Sequence, residues 1–133
     1  MKKRGVLNAE LARLIAASGH LDKIVIGDAG LPVPFGKILV DLAVVENLPR
    51  FADVLRAVLE ETAVEAAIVA KETRETSPEI RVEIDEALGD TPISEVTHEE
   101  FKRIGEEEEN VFYIRTGEAT PYANVILVGG VTF

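Results

Sequence analysis

Residues 23–30, KIVIGDAG, are the stretch of sequence that decides the fold. Residues 24–27 form an unbroken apolar run, and the turn signal that follows ends the predicted strand at Asp28. A strand without polar alternation is typical of a sheet that is covered by helices on both faces. The run therefore predicts a buried strand inside a layered α/β domain.

The segments on either side of this strand predict a helix and a loop. Asn8 can cap a helix in which Leu11 and Leu14 fall at helical spacing, and Gly19 ends it. Residues 31–37, LPVPFGK, contain two prolines, which fix their own backbone and disfavour helix in the residues before them. We predict a rigid loop there.

The rest of the chain alternates between strands and helices. An apolar piece at 38–45 precedes a helix that begins near Pro49, and VEAAIVAK at 64–71 is a second buried strand. The later elements are a helix at 77–89 capped by Ser77, a short strand and a helix within 92–104, and strands at 111–115 and 124–133. The pattern predicts one domain over residues 1–133, a three-layer α/β/α arrangement with a mostly parallel or mixed sheet.

Composition excludes several functional classes. The formal net charge of -10 opposes a partner held by phosphate contacts, so we expect no nucleic acid partner. The absence of cysteine excludes a disulfide framework and a thiol nucleophile. No apolar run is long enough to cross a bilayer, and the N-terminus does not resemble a signal peptide. We expect a cytoplasmic protein with no membrane partner.

Polar residues gather at the ends of the predicted elements. His20 follows the first helix, Asp28 ends the first strand, His98 begins a helix, and Tyr122 and Asn124 precede the last strand. In open α/β sheets, ligand sites form at the carboxyl ends of strands and in the loops that follow them. Imidazole, carboxyl, phenol and amide groups together suit a hydroxyl-rich neutral ligand and proton transfer near neutral pH.

Each of these residues also has a purely structural explanation. His20 can cap the carbonyls of the preceding helix, and Asp28 can bond the backbone of its own turn. His98 can simply begin a helix, and Tyr122 can be a core residue. Neither histidine has a second ligand one helical turn away, so we expect no metal site. The residues alone leave the ligand site and the structural explanations both open.

Four segments, in order and over essentially the whole chain, resemble the D-ribose pyranase family. They are KKRGVLNAELARLIAASGHLDKIVIGDAGLPVP at 2–34, VEAAIVAKE at 64–72, THEEFK at 97–102, and IRTGEATPYANVILVGGVTF at 114–133. The family is similar in sequence and fold to the L-fucose mutarotases. The motifs DAGLPVP and PYAN, together with His98, resemble the ribose form.

The resemblance implies that the chain interconverts β-D-ribopyranose and β-D-ribofuranose without a cofactor and supplies furanose for ribokinase. It also implies a ring-shaped homo-oligomer with sites between adjacent subunits. In this family pattern His20 is the proton donor, and the sugar is bound by Asp28, His98, Tyr122, Ala123 and Asn124. An L-fucose-type mutarotase and a non-catalytic sugar-binding protein are the alternatives.

The chemistry fits these residues. Ring interconversion passes through the open aldehyde, so one group protonates the ring oxygen while another removes the proton of the anomeric hydroxyl. A histidine with an ordinary pKa near ~6.5 can act in both directions. The polar stretch 116–124, TGEATPYAN, would then form a sugar-binding rim. Lys102, one helical turn after His98, is either a further sugar contact or a surface lysine.

One distance opposes a site within a single chain. Eight extended residues from His20 to Asp28 would span roughly 26 Å, which is too far for one monosaccharide to touch both. Either the chain curls back or the two residues belong to different subunits. We expect a site shared between subunits.

Overall fold

The computed structural model describes residues 1–133, in which helices and strands alternate along the chain. The helices are α1 (Ala9–Ala17), α2 (Phe51–Leu59), α3 (Lys71–Thr76), α4 (Pro78–Leu88) and α5 (His98–Glu107). The strands are β1 (Lys23–Gly27), β2 (Ile38–Asp41), β3 (Val64–Ala70), β4 (Ile93–Val96), β5 (Val111–Arg115) and β6 (Val125–Gly129). None of the helices has the length and apolar character needed to cross a bilayer.

The six strands form one sheet in the order β2-β5-β1-β6-β3-β4. Strand β6 is antiparallel to its neighbours β1 and β3, whereas β5 runs parallel to β1 and β2, and β4 parallel to β3. The prediction of a mostly parallel or mixed sheet is therefore confirmed. The C-terminal ends of β1 to β5 and the N-terminal end of β6 lie along one side of the sheet, which we call the carboxyl edge. The opposite edge is called the amino edge.

Apolar side chains pack on both faces of the sheet, as the unbroken run in β1 predicts. On one face, Ile24 and Ile26 belong to a core of 20 buried residues that includes side chains of α1, α2 and α4. On the other face, Val25 packs with Phe101 of α5 in a core of 6 buried residues. Successive residues of one strand thus serve both cores, because side chains alternate across a sheet.

The structure places the predicted cap residues at the ends of α1 and α4. The Oδ1 atom of Asn8 accepts a hydrogen bond from Leu11 N at 2.9 Å, and Gly89 ends α4 with a positive φ of 55°, which glycine adopts readily. Ser77 is the N-cap residue of α4, as predicted, but its hydroxyl makes no capping hydrogen bond. That hydroxyl instead donates to the carbonyl of Pro121 at 2.7 Å.

Helix α3 is absent from the sequence-based prediction. Its residues, KETRET, are all polar and carry no apolar stripe, and only Thr73 among them is buried. An amphipathic pattern is the main local signal for a helix, so it does not reveal a six-residue segment that is entirely polar. This short helix joins β3 to α4 at the carboxyl edge.

Candidate functional site

Asp28, His98, Tyr122 and Asn124 come together at the carboxyl edge of the sheet. Asp28 follows β1, His98 begins α5 after β4, and the other two lie just before β6. The backbone N–H of Asp28 donates to Oδ1 of Asn124 at 2.9 Å. The rings of His98 and Tyr122 meet edge to face, with centroids 5.0 Å apart and an interplanar angle of 81°. We call these four residues the carboxyl-edge cluster.

Asp28 bonds its own turn and also faces the cluster. Its Oδ1 accepts from Gly30 N at 2.9 Å, so the structural explanation for this residue holds as well. Burial raises the pKa of Asp28 above its ordinary value, while the Gly30 N–H, the Asn124 amide and the charge of His98 oppose that rise. A carboxylate with a raised pKa is a stronger proton acceptor, which suits it to hold a hydroxyl group of a ligand.

His98 is fixed at the first position of α5. The hydroxyl of Thr97 accepts from Glu100 N at 3.1 Å and caps this helix. The imidazole lies between Tyr122 and Phe101, whose ring stacks on it with centroids 6.1 Å apart. Its Nδ1 atom is buried and makes no hydrogen bond.

Tyr122, Ala123 and Asn124 differ in backbone conformation and in exposure. Tyr122 has φ of 60°, a left-handed backbone that is unusual for a bulky residue. Ala123 is 0% exposed, and its side chain belongs to the larger core. Asn124 is 1% exposed, and its Nδ2 atom is buried without a well-formed hydrogen bond.

Two buried side-chain nitrogens of the cluster make no well-formed hydrogen bond: Nδ1 of His98, and Nδ2 of Asn124, which faces the carboxylate of Asp28. Most buried polar atoms in folded proteins are paired, and leaving one unpaired costs roughly 1–3 kcal/mol. Such atoms at the end of a parallel strand, beside a carboxyl and a phenol, are suited to the hydroxyl groups of a small ligand.

His20 lies at the amino edge, on the far side of the sheet from Asp28. The backbone of Leu21, its neighbour, donates to Gly129 O at the end of β6 with a distance of 2.8 Å. The Nε2 atom of His20 is 2.9 Å from a carboxylate oxygen of Glu65, and both side chains are exposed. The imidazole thus does not serve as a helix cap. The chain does not curl back, and one chain alone does not bring His20 to the carboxyl-edge cluster.

Two open cavities have a size that suits a small ligand, since ligand pockets span about 300–1,000 Å³. A groove of about 590 Å³ runs between residues 32–34 and α5, and none of the four residues of the carboxyl-edge cluster lines it. Lys102 lines this groove and is paired with Glu99 at 2.7 Å. At the amino edge, a cavity of about 450 Å³ contains His20, Gly129 and Phe133.

The polar stretch 116–124 is not a ligand rim along its whole length. The hydroxyl of Thr116 is buried and donates to Gly27 O at 2.9 Å. Glu118 is 2% exposed, and its carboxylate accepts from the N–H of Phe51 at the start of α2 with a distance of 3.0 Å. The first half of the stretch is therefore structural, because a buried polar group needs a partner inside the protein.

Several contacts around the cluster have no local signal in the sequence. The backbone N–H of His98 donates to Oε2 of Glu72 at 2.8 Å, and the hydroxyl of Thr73 donates to Tyr122 O at 2.8 Å. Glu65 beside His20 is another such residue. These partners lie between 26 and 49 residues apart in the chain, so motif spacing does not reveal them. No three acidic or histidine side chains are grouped to hold a metal ion.

Comparison with known proteins shows a family match over nearly the whole chain. The model of the RbsD / FucU transport protein family matches residues 1–132. The D-ribose pyranase of Coprothermobacter proteolyticus is 49% identical over 133 residues, with both chains fully covered. The D-ribose pyranase of Geobacillus thermodenitrificans is 48% identical over 133 residues, covering 100% of this chain and 99% of its own.

Solved structures show the same fold. Bacillus subtilis RbsD, solved in complex with D-ribose, superposes with a TM-score of 0.94 at 45% identity, and both chains are fully covered. The fucose mutarotase of Streptococcus pneumoniae, solved with L-fucose, superposes with a TM-score of 0.79 at 21% identity, covering 96% of this chain and 95% of its own. The second likeness shows the shared fold alone.

Proposed function

The chain belongs to the RbsD / FucU transport protein family, and from this membership we infer that it interconverts the pyranose and furanose forms of D-ribose. The activity is that of a D-ribose pyranase, an isomerase of sugar metabolism. In the structure, the carboxyl-edge cluster supports the inference, because the unpaired Nδ1 atom of His98 and the amide of Asn124 lie beside a carboxyl and a phenol. We place the reaction in the cytoplasm, ahead of ribokinase.

In the proposed mechanism the cluster holds the sugar. Asp28 accepts hydrogen bonds from sugar hydroxyls, while Nδ2 of Asn124 donates and the phenol of Tyr122 does either. His98 contributes through its unpaired Nδ1 atom. Ala123 is fully buried between Tyr122 and Asn124, and we propose that it acts by holding these two neighbours in place. These contacts fix which hydroxyl lies close to the aldehyde before the ring closes again.

His20 moves the proton. It protonates the ring oxygen of ribopyranose while a water molecule accepts the proton of the anomeric hydroxyl, which breaks the C1–O5 bond and gives the open aldehyde. When the O4 hydroxyl attacks the aldehyde, the same kinds of proton transfer run in reverse and close the furanose ring. An imidazole can both give and take a proton near neutral pH.

Because His20 and the cluster lie at opposite edges of one chain, we propose that His20 of one subunit completes the cluster of the next. Exposed apolar side chains support an interface at both edges. Leu21 and Phe133 are exposed near His20, and Val44 and Leu48 are exposed in the segment after β2, at the carboxyl edge. Apolar exposure of this kind is typical of protein interfaces.

An interface that joins two different surfaces of the same chain is heterologous. Such contacts generate a closed ring when the rotation between subunits divides a full turn. We therefore propose a ring-shaped homo-oligomer with sites between adjacent subunits.

Saturation-transfer NMR on D-ribose tests the function. We expect the protein to accelerate exchange between the ribopyranose and ribofuranose signals above the spontaneous rate. Acceleration of anomer exchange in L-fucose without ring exchange in ribose would instead establish a fucose-type mutarotase. Ribose binding without any acceleration would establish a non-catalytic sugar-binding protein, and either result would overturn the proposal.

A further inference from the structure

Helix α3 contacts both aromatic members of the carboxyl-edge cluster through hydrogen bonds. Oε2 of Glu72 accepts from the backbone N–H of His98 at 2.8 Å. The next residue, Thr73, donates its hydroxyl to the carbonyl oxygen of Tyr122 at 2.8 Å. One short helix at the end of β3 therefore holds two residues that lie 24 positions apart in the chain, since they are numbered 98 and 122.

The backbone at Tyr122 needs such support. Its φ of 60° places a bulky residue in the left-handed region, which is unfavourable for any residue with a Cβ atom. The hydroxyls of Ser77 and Thr73 bond the carbonyls of Pro121 and Tyr122, which lie on either side of this residue's Cα atom. Both hydroxyls are buried, with exposures of 1% and 0%. Strained backbone persists only where its surroundings hold it in place.

The orientation of Tyr122 sets the geometry of the remaining cluster. Its ring meets His98 edge to face at 5.0 Å, and its carbonyl also accepts from Asn124 N at 2.9 Å. Asn124 in turn accepts from the N–H of Asp28. A shift of the Tyr122 backbone therefore moves the phenol directly and perturbs the amide that faces Asp28.

We propose that Thr73 is a positioning residue: its hydroxyl holds Tyr122 in the left-handed conformation that aims the phenol at the sugar. This inference rests on the proposed function, because it concerns affinity for D-ribose. Thr73 does not touch the sugar and acts through Tyr122. Ser77 supports the same conformation from the preceding peptide unit.

The variant Thr73→Val tests the proposal, because it removes the hydroxyl and keeps the shape. Tyr122 O keeps its bond from Asn124 N, so no buried carbonyl is left without a partner and the fold should survive. We expect the Kd for D-ribose, measured by NMR titration on the full-length protein, to rise about tenfold. Thr73→Ser restores the hydroxyl and should bind within about twofold of the parent.

Two further variants separate positioning from a general loss of stability. Thr91 lies before β4 at the amino edge, and its hydroxyl makes no hydrogen bond. Thr91→Val is therefore the control for the same change of side chain, and it should leave the Kd for D-ribose unchanged. In a Tyr122→Phe background, Thr73→Val should weaken binding by less than about twofold, because the hydroxyl that it positions is already gone. Ser77→Ala removes the hydroxyl that bonds the carbonyl of Pro121, and it should raise the Kd about threefold.

The outcomes are distinct. Failure of the parent protein to bind D-ribose would overturn the proposed function itself. Normal binding by the parent together with an unchanged Kd in Thr73→Val would overturn the positioning role alone. Equal losses from Thr73→Val in the parent and in the Tyr122→Phe background would also overturn it, because the effect would then not pass through the Tyr122 hydroxyl.

Discussion

We expect His20→Ala to slow enzyme-catalysed exchange between ribopyranose and ribofuranose by about 10²–10⁴-fold, the usual contribution of a general acid or base. The affinity for D-ribose should change far less, because Asp28, Tyr122 and Asn124 make the proposed hydroxyl contacts. Saturation-transfer NMR at saturating ribose measures the rate, and a titration of the same samples measures the Kd. A loss of rate with retained binding is the signature of a group that acts on the proton.

The chain offers a matched control, because it has only two histidines. His98→Ala should show the opposite pattern, a raised Kd with most of the exchange rate kept at saturation. His98 is packed between two aromatic rings beside Asn124, whereas His20 is exposed next to Glu65. If His20→Ala exchanges ribose at the parent rate, then another group moves the proton and the mechanism is wrong.

Glu118→Ala should cause the largest loss of stability, about 3 kcal/mol. The carboxylate accepts from Phe51 N at 3.0 Å and from the hydroxyl of Thr120 at 2.7 Å, and Arg50 Nε lies 3.3 Å away. Its removal leaves a buried N–H at the start of α2 without a partner. We expect the thermal unfolding midpoint, measured at one protein concentration, to fall by about 10 °C.

Two comparisons make this prediction specific. Glu118→Gln keeps an acceptor for Phe51 N. Its loss of stability should be less than half of the loss caused by Glu118→Ala. Glu109→Ala removes an exposed carboxylate that makes no ion pair or hydrogen bond, and it should leave the midpoint within about 1 °C. An equal fall in all three variants, or no fall in Glu118→Ala, would show that the buried carboxylate does not stabilise α2.

The alternation of strands and helices was predictable because it depends on local patterns. The apolar run in β1 and the signals around α4, with Pro78 at its start and Gly89 at its end, are each contained in a few neighbouring residues. The all-polar α3 carries no such pattern. The opposite direction of β6 between β1 and β3 depends on how the whole sheet assembles, and no residue within the strand encodes it.

The position of the candidate site residues in the fold was predictable to the same extent. The rule that ligands bind at the carboxyl ends of strands brings Asp28, His98, Tyr122 and Asn124 together, and the structure places them there. The role of Glu118 was not predictable, because its partner Phe51 lies 67 residues away. From the sequence, a polar residue between two apolar segments can equally bind a ligand or bond the start of a helix from a buried position. Only its exposure in the structure distinguishes the two roles.

Subunit complementation tests a site shared between neighbouring chains. Two variants, His20→Ala and Asn124→Asp, each remove one side of the proposed site; the second places another carboxylate beside Asp28. Chains carrying different tags are unfolded together, refolded at equal ratio and purified through both tags, and ribose exchange is measured by NMR. Random assembly gives about a quarter of the sites an intact His20 and an intact cluster, so we predict recovery of about a quarter of the parent rate. Mixed oligomers no more active than the two variants refolded separately would contradict a shared site.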